Sequence, residues 1–445
     1  MTDTPPLLDH QREALPRLQQ GHAFLAFEPG LGKTRTCIAA LDADNIKGSI
    51  LVICPAIARE NWRNEFTKWQ TVQREIFVGK PPHGMNADVT VYSYDAISGM
   101  YPEVRNALLT KKWHTLILDE AHRLKEASAK RTKHVYGVHA SLTKSLAGAA
   151  SRVWCLSGTP APNHLGELWT HLRALKPEAI TSETGLILNR VQFEDTYCNV
   201  RTTSFGRQIA GSKNVPHLRA KMGDFFMPKK EQDCINLPPL RWETYALPTD
   251  KIKDKDVLAR IDSELRPYAE ADDPIEALRG AGAHIATERR LLGRLKIPLV
   301  IEYVEEQLQN SPPGTKLLVF GQHTDVIFQI TQGLLHYGAV HIDGAVPDHE
   351  RNARIRAFQG DEKCRVLVGQ LQAAGEAITL TAATRVIFAE ASWVPKDNFQ
   401  AVKRAHRIGQ GKSVRATYLV LAKSMDQQII KSVERKTREL TPIMA

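Results

Sequence analysis

Short apolar runs in two groups constrain this chain more than any other feature. Ala23–Phe27, Ser49–Cys54, Val89–Tyr92, Thr115–Leu118 and Val153–Leu156 form the first group; Lys316–Phe320, Val340–Ile342, Arg365–Val368, Arg385–Phe388 and Thr417–Leu421 form the second. Each is short, partly β-branched or aromatic, and bounded by Gly, Pro or charge. Between the early runs lie stretches of helical period such as Thr34–Leu41 and Arg59–Trp69. Strands that alternate with helices pair in parallel, and a parallel sheet is covered on both faces, so its strands are apolar throughout. From about Asn163 to Arg294 the alternation lapses into helical or irregular sequence with turn-rich pieces (PHLRAK, MPKKEQ, INLPPL) and the mixed-charge run DKIKDKD. The expected architecture is α/β, with two parallel-sheet lobes in tandem and a helical insertion between them. Its expected bounds are 1–165 for lobe 1, 166–294 for a mainly helical insertion and linker, and 295–445 for lobe 2. Ser311-Pro-Pro-Gly reads as a turn into lobe 2. A last helix from about Met425 carries Met425, Ile429, Ile430 and Val433 as a packing stripe.

Composition narrows the class. At 445 residues the chain exceeds one ordinary domain, and 42% hydrophobic with 24% charged residues suits a globular protein with a substantial core. No apolar stretch reaches the roughly 20 residues of a membrane helix; the best, Ile50 to Ala58, is interrupted by Pro55. The N-terminal MTDTPPLLDHQRE lacks the basic start and apolar stretch of a secretion signal. A soluble, cytoplasmic monomer without membrane contact is expected. The cysteines at 37, 54, 155, 198, 234 and 364 are scattered without a C-x-x-C pair, as fits reduced core thiols rather than a zinc site or disulfide framework. A net charge of +10 and a pI near 9.2 suit a polyanionic partner.

The chemistry concentrates in a few motifs. Gly30-Leu-Gly-Lys-Thr34 follows an apolar strand and opens a helix. A phosphate loop needs glycines such as Gly30 and Gly32 so that backbone N–H groups turn onto the phosphates, a lysine (Lys33) to reach the β- and γ-phosphates, and a hydroxyl (Thr34) for Mg²⁺. Leu116-Ile-Leu-Asp-Glu-Ala-His122 ends an apolar strand in paired carboxylates: Asp119 to hold Mg²⁺, partly through water, and Glu120 to polarise the attacking water. Ser157-Gly-Thr-Pro160 places small hydroxyl residues at another strand's carboxyl end, where ligands of open α/β sheets collect. Gln11 lies upstream of the loop, where its amide can read adenine. In Gln400-Ala-Val-Lys-Arg-Ala-His-Arg-Ile-Gly-Gln410, Arg404 and Arg407 are three apart, which on a helix puts both on one face, able to meet a γ-phosphate.

Together these segments resemble helicase superfamily II, and within it the Swi/Snf-type DNA-dependent ATPases. Gly30-Leu-Gly-Lys-Thr is similar to the family's nucleotide loop, and Cys54-Pro-Ala with Asn61-Trp-Arg-Asn-Glu-Phe-Thr-Lys-Trp69 to its motif Ia. Asp119-Glu-Ala-His resembles its metal motif and Leu156-Ser-Gly-Thr-Pro-Ala161 its motif III. Lys316-Leu-Leu-Val-Phe, Ile342-Asp-Gly344 with Arg351, Leu380-Thr-Ala-Ala-Thr and Arg404-Ala-His-Arg-Ile-Gly-Gln410 complete the set. The run from Ala389 is most similar to the HepA-related, annealing-helicase branch. The resemblance spans about Leu7 to Arg438. It implies two RecA-like lobes, ATP and Mg²⁺ as cofactors, Gln11 as the adenine-reading glutamine, and Arg404 and Arg407 as arginine fingers. It also implies a motif V, around Gly375, that links the nucleotide cleft to DNA. Three departures stand out: Glu376 where relatives carry Gly, Lys403 where they carry an acid, and Phe27-Glu28-Pro29 before the loop in place of Asp-Glu-Met.

The function this implies is ATP-driven translocation on duplex or branched DNA, in repair, recombination or replication. A strand-separating superfamily II helicase on DNA or RNA, and a DNA-structure binding protein with a vestigial ATPase, stay open beside it. Lys68, Arg152 and Lys396 are candidates for phosphate contacts, each with a solvated surface charge as the alternative. Trp393 is a candidate to stack against DNA, with a buried core position as the alternative.

Overall fold

In the computed structural model, residues 1–4, 139–141, 143, 163, 204–205, 272–273, 282–284, 372–377 and 445 are not described; Gly375 and Glu376 therefore lie outside the described residues. The chain forms two compact units, Met1–Ile235 and Asn236–Ala445.

The first unit is built on a seven-stranded sheet in the order β3-β4-β2-β5-β6-β1-β9. Its strands are β1 (Ala23–Phe27), β2 (Ile50–Cys54), β3 (Ile76–Val78), β4 (Val89–Ser93), β5 (Trp113–Asp119), β6 (Ala150–Leu156) and β9 (Phe226–Lys229). Every pairing is parallel. Helices α1 (Asp9–Gln20), α2 (Lys33–Ala43) and α3 (Arg59–Trp69) follow the expected βα alternation. Phe24, Leu51, Ile53, Leu116, Leu118, Val153 and Cys155 share one buried cluster, while their neighbours Leu25, Val52, Ile117 and Trp154 are buried as well. Burial of successive residues means both faces of the sheet are covered, which explains why these strands are unbroken apolar runs.

The second unit carries a six-stranded, all-parallel sheet in the order β10-β15-β14-β11-β13-β12. These strands are β10 (Leu240–Leu247), β11 (Lys316–Gly321), β12 (Val340–Ile342), β13 (Val366–Gln370), β14 (Ala383–Phe388) and β15 (Val414–Leu421). Leu317, Val319, Val366 and Val368 belong to one core cluster; Leu318, Phe320, Leu367 and Val386 belong to another, as side chains alternating across a pleated sheet must. The helix Met425–Met444 packs through Met425, Ile429, Ile430 and Val433, all buried. The buried Lys296 Nζ fixes that helix by donating to the Leu419 carbonyl at 2.6 Å and to Asp426 at 3.2 Å. Thr315 N–H closes the Ser311-Pro-Pro-Gly turn on the Pro312 carbonyl at 3.1 Å.

The stretch 166–294, expected as one mainly helical insertion, is shared between the units. Its helices are accompanied by an antiparallel hairpin, β7 (Cys198–Thr203) with β8 (Gly206–Ser212), and by two sheet strands. Strand β9 joins the first sheet beside β1, and β10 joins the second beside β15.

Candidate active site

The nucleotide loop sits at the carboxyl end of β1 and opens α2. Gly30 and Gly32 hold φ of 95° and 76°, the left-handed region that favours glycine. A side chain at Gly32 is doubly excluded, since a Cβ there would lie 2.3 Å from Gln11 Nε2. That contact shows how α1 grips the loop. His10 Nε2 donates to the Leu31 carbonyl at 2.9 Å, Gln11 Nε2 donates to the same oxygen at 3.2 Å, and Gln11 Oε1 accepts from Leu8 N–H at 3.0 Å. Gln11 is thus 1% exposed, with both ends of its amide engaged on the chain. Lys33 Nζ folds back onto the Phe27 carbonyl at 2.9 Å and reaches the Glu28 carbonyl at 3.5 Å. Thr34 occupies the first turn of α2, half-buried. In Phe27-Glu28-Pro29, Glu28 accepts from Glu231 N–H at 2.7 Å, so this departure fastens the loop to the segment after β9.

The carboxylate pair ends β5, separated from β1 by β6. Asp119 Oδ1 accepts the N–H of Glu120 at 3.0 Å and Oδ2 accepts the indole N–H of Trp62 at 2.9 Å. Burial, with the Glu120 charge adding to it, raises the Asp119 carboxyl to about 6, against the indole bond and the Lys33 charge, which favour its anion. Glu120 takes φ 50°, ψ 50°, a left-handed conformation costly for a residue with a side chain. Tyr94 OH donates to the Asp119 carbonyl at 2.9 Å, bracing the backbone just before it. His122 Nδ1 stands 3.2 Å from Glu120 Oε2 and 3.1 Å from Ser157 Oγ, and Ser157 Oγ accepts Thr159 N–H at 3.1 Å. The Ser157-Gly-Thr segment is therefore wired to the second carboxylate. It also abuts the nucleotide loop: a Cβ on Gly158 would lie 2.9 Å from Pro29 Cδ.

Among the described residues no cluster of three or more His, Cys, Asp or Glu side chains is placed to hold a metal ion by itself. Mg²⁺ needs less, because it keeps waters and phosphate oxygens in its octahedral shell and takes only one or two protein carboxylates. Asp119 fits that role: each oxygen has one N–H donor and retains lone-pair capacity for a hard cation or its water.

Arg404 and Arg407 lie in the second unit, and here the expectation of one helical face is corrected. The helix Pro395–Val402 ends before them. Arg404 N–H and Ala405 N–H bond three residues back, to Ala401 and Val402 at 3.1 and 3.0 Å, and the chain turns. The reason is Gln410. Its buried Nε2 contacts the carbonyls of Thr381, Ala383 and Ala405 at 3.0, 2.9 and 3.2 Å, and those tertiary bonds override helical propensity. Leu380 N–H donates to the Arg404 carbonyl at 2.9 Å, Arg407 Nη1 reaches the Ile378 carbonyl at 3.4 Å, and His406 Nε2 donates to the Pro238 carbonyl at 2.7 Å. Lys403 is buried, its Nζ 3.1 Å from His406 Nδ1. Because that ammonium can only donate, His406 Nδ1 accepts and Nε2 carries the hydrogen.

Residues 12–242 match the SNF2-related domain, and residues 298–409 match the helicase conserved C-terminal domain. The chain belongs to the SNF2-related family. A Caenorhabditis elegans homolog of SWI/SNF-related matrix-associated actin-dependent regulator of chromatin subfamily A-like protein 1 is 30% identical over 425 residues, covering 94% of this chain and 59% of that protein. Mouse DNA annealing helicase and endonuclease ZRANB3 is 28% identical over 445 residues, covering 94% of this chain and 39% of that protein. The chain thus spans about two-fifths to three-fifths of the length of these relatives. Among solved structures, the Sulfolobus solfataricus SWI2/SNF2 ATPase core in complex with dsDNA aligns at a TM-score of 0.44 and 20% identity, over 98% of this chain and 92% of that one.

Within this SNF2-related chain, several residues that support the site had no role assigned from the sequence. Trp62, inside the stretch similar to motif Ia, and Tyr94 and His10, outside the motifs, each hold a site residue, and all three are buried. A buried Trp or Tyr must find a partner for its polar atom, and that rule is the one signal that points to them. The candidate DNA contacts divide. Lys68 Nζ lies 4.4 Å above the Trp69 ring and its side chain is exposed; Arg152 is ion-paired to Asp44. Trp393 is buried beneath Arg289, whose guanidinium stacks 4.2 Å above its ring, so the core alternative holds for it. The Lys396 side chain lies outside the described residues.

Proposed function

We propose that this chain is an ATP-dependent DNA translocase of the SNF2-related kind, hydrolysing ATP to move along duplex or branched DNA. The observation that carries the reading is the convergence of the glycine loop, Lys33 and the Asp119–Glu120 pair on the carboxyl ends of strands β1 and β5 of one parallel sheet. Backbone N–H groups of the loop and the start of α2 bind phosphate, and Lys33 exchanges its two carbonyl partners for phosphate oxygens. Asp119 and Thr34 hold Mg²⁺, which when bound neutralises charge building on the phosphates. Glu120, set by His122, orients the attacking water. Arg404 and Arg407 act as arginine fingers, stabilising transition-state charge.

DNA as the partner is supported by the +10 charge and by the annealing-helicase relatives. Phosphate-backbone contacts release counterions, so affinity for DNA falls steeply with salt. The deciding experiment is ATPase activity across single-stranded, duplex, forked and four-way DNA and RNA, with displacement of a third strand as the translocation readout. Stimulation by duplex or forked DNA with triplex displacement is expected. Efficient unwinding from a single-stranded tail, or DNA binding without stimulated hydrolysis, overturns it.

A further inference from the structure

A hydrogen bond to which the ATPase reading gives no role joins helix α3 to the metal motif. Trp62, on α3, is 0% exposed and donates its indole N–H to Asp119 Oδ2 at 2.9 Å. The other oxygen of that carboxylate accepts from the Glu120 backbone at 3.0 Å. An aspartate at a strand end has two soft torsions; one donor on each oxygen fixes both, and each oxygen keeps a further lone pair. The donor is itself rigid. The Trp62 ring lies against Phe66 one turn along α3, centroids 6.0 Å apart, and both are buried on the inner face of that helix. A buried indole needs only some acceptor, and a backbone carbonyl serves elsewhere in this chain: Trp113 donates to Leu108 and Trp154 to Leu18. Trp62 alone of these three is spent on a carboxylate assigned to metal binding.

We propose that Trp62 is the positioning residue of the metal site: its indole N–H locks Asp119 in the orientation that receives Mg²⁺, making that one bond a determinant of metal affinity. This rests on the nucleotide-binding reading above. Partners that orient metal ligands change metal affinity by about 10–100-fold when removed.

The test compares two replacements at position 62, Trp62→Phe and the isosteric benzothienylalanine, which keeps the bicyclic ring and its packing but has sulfur where the N–H was. Phe66→Leu serves as a control that loosens the same helix without touching the bond. Affinity for a fluorescent ATP analogue is measured in EDTA and in Mg²⁺, with the Mg²⁺ concentration for half-maximal ATPase as a second readout. Both position-62 proteins should bind the analogue normally in EDTA, lose most of the Mg²⁺-dependent gain, and need about tenfold more Mg²⁺ while keeping near-normal kcat at saturation. Phe66→Leu should keep the wild-type Mg²⁺ response. An isostere with an unchanged Mg²⁺ response overturns the proposal, as does a Phe66→Leu protein that loses as much. Wild-type protein with no Mg²⁺ gain overturns the ATPase reading, and the proposal with it.

Discussion

The two units carry their chemistry in different ways. In the first, the groups assigned to the nucleotide hold one another: Lys33 lies on the carbonyls of its own loop, Gln11 and His10 clamp Leu31, and Asp119, Glu120, His122 and Ser157 form one bonded chain. In the second, neighbours build the frame. Gln410, His406 and the Leu380 amide fix the turn by its backbone and the flanking strand ends, and the two arginines are carried on it. Changing a working residue of the first unit therefore alters both chemistry and local structure, whereas in the second unit a glutamine holds the position of the arginines proposed as fingers.

Four measurements can break that contrast. The largest effect is expected from Lys33→Ala or Glu120→Gln, which should lower DNA-stimulated ATP turnover by about 10²–10⁴-fold while DNA binding persists; lost DNA binding with normal turnover refutes the assignment. Asp119→Asn should also abolish turnover, and should make stability depend less on pH. The Asp119 carboxyl is raised to about 6, so between pH 4 and 6 the folded chain binds more protons than the unfolded one. Its charge therefore costs stability at neutral pH. Removing that charge should take away a fall in unfolding free energy of up to about 3 kcal/mol between pH 4 and 8, at about 1.36 kcal/mol per tenfold change in proton affinity. Thermal melts at pH 4 and 8 test this, since nearly all of the difference builds up between those two values.

Gln410→Ala should destabilise the second unit by about 1–3 kcal/mol, since it leaves buried carbonyls without a donor. It should reduce turnover yet leave ATP-analogue binding to the first unit near normal; intact turnover would show that the turn needs no such frame. The smallest effect concerns acid. Burial lowers His171, in the first unit, to about 3 while Tyr136 OH bonds its Nδ1 at 2.8 Å, so the folded chain keeps it neutral. Stability from this group is full above pH 6.5 and is lost by about 1.4 kcal/mol per pH unit below it. His171→Phe should flatten that acid slope in pH-dependent melts; an unchanged slope assigns acid sensitivity elsewhere.

Much of the fold was legible because interior parallel strands are apolar on both faces. Ala23–Phe27 coincides with β1 and Lys316–Phe320 falls within β11, both interior strands, and Arg59–Trp69 coincides with the observed helix. The sheet strands without a sequence signal, β3, β9 and β10, are all edges. An edge strand keeps polar or exposed residues, as in Phe-Met-Pro-Lys of β9 and the half-exposed Leu240–Leu247, so no unbroken run marks it. At the site, residues recognisable by their own chemistry were legible: Lys33, Thr34, Asp119 and Glu120. Supports were not, because Trp62 and Gln410 act through long-range bonds, and pairings across 57, 29 or 27 positions leave no local pattern. The arginines were expected on a helix for the same reason, the bonds that end it coming from residues distant in sequence.

Strand β9 has a consequence for synthesis. It completes the sheet from the far end of the first unit, pairing Phe24 with Phe226 and Phe27 with Lys229. Until residue 229 has left the ribosome, β1, every residue of it apolar, is an open edge able to pair with another chain. A nascent or truncated protein that stops after β6 thus has its whole nucleotide loop in sequence but presents the strand beneath it as a template for aggregation. The nucleotide-binding half of this chain must be made through to its final strand before it can safely be left to fold.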